Sequence, residues 1–136
     1  MTTETRQKLI LVVDDEPDVI TYLTTLLEDN GYATDSAVNG TEAMAKLRQL
    51  KPDLITLDIS IPEKSGVRVY REMKEDPDLA HIPVLVITAV TGYGGKPEVF
   101  EQFLSSRKHI PSPEGFIDKP LEDREGLLRK IADLLA

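Results

Sequence analysis

Short aliphatic runs alternate with stretches of helical periodicity along almost the whole chain of 136 residues. The first run, Leu9 to Val13, is continuously apolar, as expected for a central parallel strand that helices cover on both faces. Alternation of this kind is typical of βαβ units, whose right-handed crossovers bring successive strands into one sheet. The sequence therefore predicts an α/β fold, a doubly wound parallel sheet of five strands with helices on both faces.

The predicted strands are residues 9–13, 32–38, 54–57 and 83–88 and a short strand around Phe116-Ile117. A helix is predicted after each strand: from Pro17 to the Asn30-Gly31 stop, from Asn39-Gly40-Thr41 to Lys51-Pro52, around Val67 to Met73, around Val99 to Leu104, and over Leu127 to Leu135. The weak strand at 32–38 suits an edge. The expected strand order is 2-1-3-4-5, the flavodoxin-like order.

Composition narrows the function classes. We expect residues 1–136 to form one domain, with a core over 8–136 and no output domain. The chain has no Cys, which excludes disulfides, thiolate metal sites and a cysteine nucleophile. A net charge of −8 disfavours direct contact with nucleic acid and suits a bound cation. Without an apolar span or signal peptide, a cytoplasmic location with no membrane insertion is expected.

Polar side chains stand at the carboxyl ends of the predicted strands. Asp14 and Asp15 follow the first strand, Asp58 the third, Thr88 the fourth and Lys119 the fifth. The carboxyl ends of parallel strands meet at one edge of the sheet, where ligands bind in folds of this class. Three carboxylates brought together repel one another, and a hard divalent cation such as Mg²⁺ offsets that repulsion. The sequence therefore predicts a magnesium site at this edge.

A carboxylate beside such a cation is suited to phosphoryl transfer. An oxygen of Asp58 can attack a phosphoryl group in line, while the cation and the Lys119 ammonium neutralise charge on the transferring oxygens. The Thr88 hydroxyl can donate a hydrogen bond to a phosphoryl oxygen once that oxygen is present. The loop after Thr88 should then shift toward a second conformation, so these residues predict a switch.

Several motifs occur in order on the predicted strand ends. They are Asp14-Asp15, Asp58-Ile59-Ser60-Ile61-Pro62 with Gly66, Thr88-Ala89, and Phe116-Ile117-Asp118-Lys119-Pro120. Together they resemble the receiver domain of bacterial two-component response regulators over nearly the whole chain. The resemblance implies a phosphorelay component that takes a phosphoryl group from a sensor histidine kinase or phosphotransfer protein and signals to a downstream protein that the sequence does not identify.

The resemblance also implies roles for single residues. Asp58 would be the phosphoacceptor, and Asp15 and Asp58 would hold Mg²⁺ together with the backbone carbonyl of Ser60. Asp14 would act on the metal mainly through bound water. Lys119 would contact the phosphoryl group.

The resemblance further implies that Thr88 and Phe116 form a pair of switch residues, the aromatic ring turning inward when the hydroxyl moves toward the phosphoryl group. Two departures qualify the likeness. Residues 105–115 are longer than the turn that usually precedes the fifth strand in this family, which leaves the output face undetermined. Val90 offers no polar group to orient a hydrolytic water, so slow self-dephosphorylation is expected.

Other interpretations stay open. Asp14, Asp15 and Glu16 could simply satisfy the amino terminus of the first helix. A magnesium-dependent aspartyl phosphatase would use the same sheet, but it needs a second acid two residues after the nucleophile, where this chain has Ser60. A receiver-like interaction module that is never phosphorylated is the third possibility. We expect a phosphoacceptor switch rather than an enzyme that turns over an external substrate.

Overall fold

The computed structural model describes residues 7–59, 66–88, 113–119 and 121–136. In that part of the chain the elements are β1 (Leu9–Val13), α1 (Pro17–Asp29), β2 (Ala33–Ala37), α2 (Gly40–Leu50), β3 (Leu54–Leu57), α3 (Gly66–Glu75), β4 (Val84–Thr88), β5 (Gly115–Asp118) and α4 (Arg124–Leu135). The strands form one parallel sheet in the order β2-β1-β3-β4-β5. The predicted fold class and strand order are confirmed. The helix predicted around Val99 to Leu104 lies outside the described residues.

Two apolar clusters cover the two faces of the sheet. Alternate residues of the central strands point to opposite faces, so β1 contributes to both clusters. Leu11 and Val13 pack with the buried side chains of α2 and α3. Ile10 and Val12 pack with those of α1 and α4. Helices therefore lie on both faces, as the continuous apolar runs predicted.

Local sequence explains where the helices begin. The Asn39 side chain accepts a hydrogen bond from the backbone N–H of Glu42 at 2.7 Å, and the Glu42 carboxylate accepts one from the N–H of Val38 at 2.9 Å. This reciprocal pair satisfies free N–H groups at the start of α2. Asp123 similarly caps α4 by accepting from the N–H of Gly126 at 2.9 Å.

A buried hydroxyl in β3 gives a first testable prediction. Thr56 is 1% exposed between Val12 and Leu85 on the neighbouring strands, and its Oγ1 has no hydrogen-bond partner within the described part of the chain. Thr56→Val keeps the shape and removes the desolvated hydroxyl, so we expect the free energy of unfolding to rise by about 1 kcal/mol. Urea unfolding measures this change, and a less stable variant would show that the hydroxyl is satisfied in solution.

A buried lysine fixes the approach to β5. Lys74 near the end of α3 has a side chain only 2% exposed, and its Nζ donates to the backbone oxygens of Ala80 at 3.0 Å and Ile82 at 2.9 Å. Burial lowers the pKa of this lysine, although the nearby Glu114 carboxylate, 3.7 Å from Nζ, works in the opposite direction. Glu114 also accepts from the N–H of Val84 at 2.7 Å and donates its own N–H to the Val84 carbonyl at 3.1 Å. The residue before β5 is thereby attached to both α3 and β4.

No helix in the described part of the chain combines the length and the apolar character that crossing a bilayer requires.

Candidate functional site

The ends of β1 and β3 bring two buried carboxylates together. The backbone N–H of Asp14 still bonds to Ala37 of β2 at 3.1 Å, and that of Asp58 bonds to Val13 of β1 at 3.0 Å. The sheet ladder therefore continues one residue past each strand and holds both aspartates in place. Asp14 is 2% exposed and Asp58 is 3% exposed.

Lys119, directly after β5, joins this pair of aspartates. Its Nζ lies 2.8 Å from Asp14 Oδ2, 3.1 Å from Asp58 Oδ2 and 2.8 Å from Glu16 Oε1. An ammonium group has three N–H donors, and these three carboxylates from the described residues occupy all of them. The predicted meeting of residues from three separate strand ends is therefore what the structure contains.

Two groups of this cluster have raised pKa values. Burial is the main influence on the Asp14 carboxyl and raises its pKa, against the lowering effect of the hydrogen bond from Lys119. Burial alone would lower the pKa of Lys119, but its bonds to Asp14 and Glu16 and the charge of Asp58 raise it above the ordinary value. The direction for Lys119 follows from an excess of carboxylates around one ammonium, which favours the cation, whereas the direction for Asp14 follows mainly from burial.

The carboxylates form a group that suits a hard cation. Asp14, Asp15, Glu16 and Asp58 each offer an oxygen, and these atoms lie within 4.8 Å of one another. All the donors are oxygens, and Asp15 and Glu16 face solvent, so a partly hydrated Mg²⁺ fits the chemistry of the set. Ser60, whose backbone carbonyl was expected to complete the site, lies outside the described residues.

Gly66, the first residue of α3, lets the helix approach the phosphoacceptor candidate closely. Its N–H donates to the Ile59 carbonyl at 3.2 Å. A Cβ added at Gly66 would lie 2.5 Å from the backbone oxygen of Asp58 and would also collide with the Cα of Ile59. Only glycine allows this approach, so the glycine noted in the sequence has a steric reason.

The two expected switch residues lie on neighbouring strands. Thr88 ends β4 and its Cα pairs with Asp118 of β5, while Phe116 pairs with Val86. Phe116 is half-buried against the apolar cluster under α2 and α3. It also lines a cavity of about 560 Å³ between β5 and α4, together with Leu121. The cavity lies on the α4 side of the sheet, whereas the ring packs on the side of α2 and α3.

Glu16 is the site residue to which the sequence interpretation gave no role in the chemistry. It was considered only as part of a helix amino terminus, and it does stand at the N-cap position of α1. Within the described residues, however, its side chain makes no capping bond and contacts Lys119 instead. The one available signal was that Glu caps a helix less well than Asp, Asn, Ser or Thr.

Comparison with known proteins agrees with this geometry. The polar-differentiation response regulator DivK of Brucella anthropi is 37% identical over 108 residues, which cover 76% of this chain and 88% of DivK. Protein PilH of Pseudomonas aeruginosa is 32% identical over 127 residues, covering 93% of this chain and 97% of PilH. Among solved structures, the signal receiver domain of a histidine kinase from Syntrophus aciditrophicus is 33% identical with a TM-score of 0.77, covering 94% of this chain and 89% of that one.

The chemotaxis response regulator CheY4 of Vibrio cholerae has a TM-score of 0.78 at 25% identity, covering 96% of this chain and all of that one. Residues 10–132 match the family described as the response regulator receiver domain, from the second residue of β1 into α4. The matched residues include Asp14, Asp58 and Lys119. The chain therefore belongs to the response regulator receiver domain family.

Proposed function

We propose that this chain is a phosphoacceptor switch that takes a phosphoryl group onto Asp58 from a phosphohistidine of a sensor histidine kinase or phosphotransfer protein. The observation that carries the proposal is the buried Asp58 carboxylate, bonded to the Lys119 ammonium within a cluster of oxygen donors. Membership of the receiver family supports the same conclusion. Asp58, Lys119 and Thr88 are the proposed catalytic residues, with Asp14, Asp15, Asp58 and Ser60 as the proposed metal site.

The transfer requires a nucleophile, charge neutralisation and a leaving group. A carboxylate oxygen of Asp58 forms a bond to phosphorus while the P–N bond of the donor breaks, and the imidazole keeps that electron pair and takes up a proton. Lys119 already bonds to the acceptor carboxylate, so its charge lies where the phosphoryl oxygens arrive. A bound Mg²⁺ would neutralise further negative charge on the phosphoryl group.

The signal would follow from the new charge on Asp58. We propose that the Thr88 hydroxyl donates to a phosphoryl oxygen and that Phe116 turns inward as the loop after β4 moves. Phe116 is only half-buried against the cluster under α2 and α3, which supports a ring that can change orientation. A separate protein, not identified by this site, would recognise the changed surface.

Three further parts belong to the same proposal. Residues 1–136 act as a single receiver domain, and the exchange takes place in the cytoplasm. Self-dephosphorylation is slow because Val90 is apolar; that residue lies outside the described part of the chain.

Incubation with acetyl phosphate and Mg²⁺, followed by intact-protein mass spectrometry, tests the acceptor. We expect a gain of one phosphoryl group that is lost in base and absent when Mg²⁺ is chelated. Asp58→Asn should abolish it, because an amide oxygen is a far weaker nucleophile than a carboxylate. Asp53→Asn, which alters an aspartate just before β3, is the matched control and should be phosphorylated normally.

The same experiment separates the alternatives. An unmodified wild-type protein would support the interaction module that is never phosphorylated. Turnover of small phosphoesters would support the aspartyl phosphatase instead. Phosphorylation that persists in Asp58→Asn would show that another residue is the acceptor.

A further inference from the structure

We infer that Glu16 is a positioning residue that occupies one hydrogen-bonding position of Lys119 in the unphosphorylated protein and yields it to a phosphoryl oxygen when Asp58 is modified. The inference rests on the proposed function, since it concerns the same transfer. It assigns a role in the reaction to a residue outside the proposed acceptor and metal set.

Before transfer, all three N–H groups of the Lys119 ammonium are engaged by carboxylates. Its Nζ bonds to Asp14 at 2.8 Å, to Glu16 at 2.8 Å and to Asp58 at 3.1 Å. A lysine ammonium donates only three hydrogen bonds. A phosphoryl oxygen can therefore bond to Lys119 only if one of the three carboxylates withdraws.

The three carboxylates differ in the free energy that each loses when it gives up its bond to Lys119. Asp14 is 2% exposed, and a buried carboxylate that loses its cation is strongly destabilised. Phosphorylation turns the Asp58 carboxylate into an acyl phosphate whose charge lies on the phosphoryl oxygens, and the sheet bond to Val13 holds this residue beside Lys119. The Glu16 side chain is 60% exposed, so water replaces its partner at little cost. Glu16 is thus the carboxylate that withdraws.

The backbone of Glu16 is fixed by hydrogen bonds, while its side chain makes no bond to the start of α1 within the described residues. Its backbone N–H donates to Asp14 Oδ1 at 2.9 Å, and its backbone carbonyl accepts from Val19 and Ile20 at 3.1 Å, so the main chain is fixed. The side chain makes no capping bond to α1 in the described residues. A fixed backbone with a side chain that bonds to Lys119 instead of capping the helix fits a replaceable contact.

Glu16→Gln tests the inference, because it keeps the size of the side chain and removes the charge that competes with the phosphoryl group. We expect the acetyl phosphate concentration that gives half the maximal phosphorylation rate to fall by about three-fold, because the free energy of one exposed ion pair corresponds to a factor of this size. The maximal rate should change little. Glu122→Gln is the matched control: it removes an exposed glutamate ahead of α4, gives the same net charge and should behave like wild type.

Calorimetric titration of the unphosphorylated proteins with Mg²⁺ supplies a second measurement. If the role of Glu16 is its contact with Lys119, the substitution should change the Kd for Mg²⁺ by a smaller factor than it changes the half-maximal acetyl phosphate concentration. A Glu16→Gln variant with much weaker Mg²⁺ binding and slower phosphorylation would make Glu16 a metal ligand and overturn the inference. So would a variant identical to wild type in both measurements. A wild-type protein that is not phosphorylated would refute the proposed function itself.

Discussion

Lys119→Met is expected to lower the free energy of unfolding of the metal-free protein by about 3 kcal/mol, the effect of removing one partner from a buried ion pair. The substitution keeps a long apolar stem and removes the ammonium that bonds to Asp14 and Asp58, which are 2% and 3% exposed. Both carboxylates would then face each other without a cation. Urea unfolding in a chelating buffer measures the loss.

Added Mg²⁺ should recover much of this loss, because an ion held at the proposed carboxylate site would stabilise the folded protein and not the unfolded chain. Mildly acidic buffer should recover part of it as well. Burial raises the pKa of Asp14 above its unfolded value, so the ionised group opposes folding, and stability falls as pH rises through the folded pKa. Removing Lys119 should move that window upward.

Lys46→Met is the matched control for this experiment. Lys46 bonds to Asp35 at 2.9 Å, but both side chains are partly exposed, so the loss should stay below about 1 kcal/mol. An equal effect at the two lysines, or no rescue of Lys119→Met by Mg²⁺, would contradict a shared electrostatic site.

Gly66→Ala is expected to destabilise the protein by about 3 kcal/mol, the upper part of the range for forcing an extra carbon into a packed position. The new Cβ would lie 2.5 Å from the backbone oxygen of Asp58. Either α3 or the chain carrying Asp58 must move, so phosphorylation by acetyl phosphate should also slow. Chemical unfolding and the phosphorylation rate measure the two effects.

Arg68→Ala, at an exposed position two residues along the same helix, is the control for Gly66→Ala. Its ion pair with Glu72 lies on the surface, so the change should stay within about 0.5 kcal/mol. If Gly66→Ala were as mild as Arg68→Ala, the close packing of α3 on the Asp58 backbone would be refuted.

The meeting of Asp14, Asp58 and Lys119 could be predicted because it depends only on strand order and direction. Aliphatic runs located β1, β3 and β5, and the geometry of a parallel sheet brings the residues after them to one edge. Strand ends were also correct to within about one residue, because β1 and β3 end where their apolar runs give way to Asp14 and Asp58.

Features that depend on side-chain direction could not be predicted. Glu16 contacts Lys119 rather than the start of α1, and the choice between these partners depends on a rotamer that no periodicity records. The same holds for Lys74, whose partners are backbone oxygens in the turn before β4. A charged residue on an amphipathic helix is ordinarily placed in solvent, and only the folded chain reveals its burial.

Because Glu114 is attached to β4 and α3, the chain between β4 and Glu114 should tolerate changes in its length. Two backbone-directed bonds tie Glu114 to Val84, at the end of the sheet opposite the acidic cluster, and the Lys74 ammonium lies beside its carboxylate. Residues between β4 and Glu114 can therefore vary in number while β5 keeps its register and delivers Lys119 to the same point. Insertions or deletions in that interval should leave the contacts of Lys119 with Asp14 and Asp58 intact.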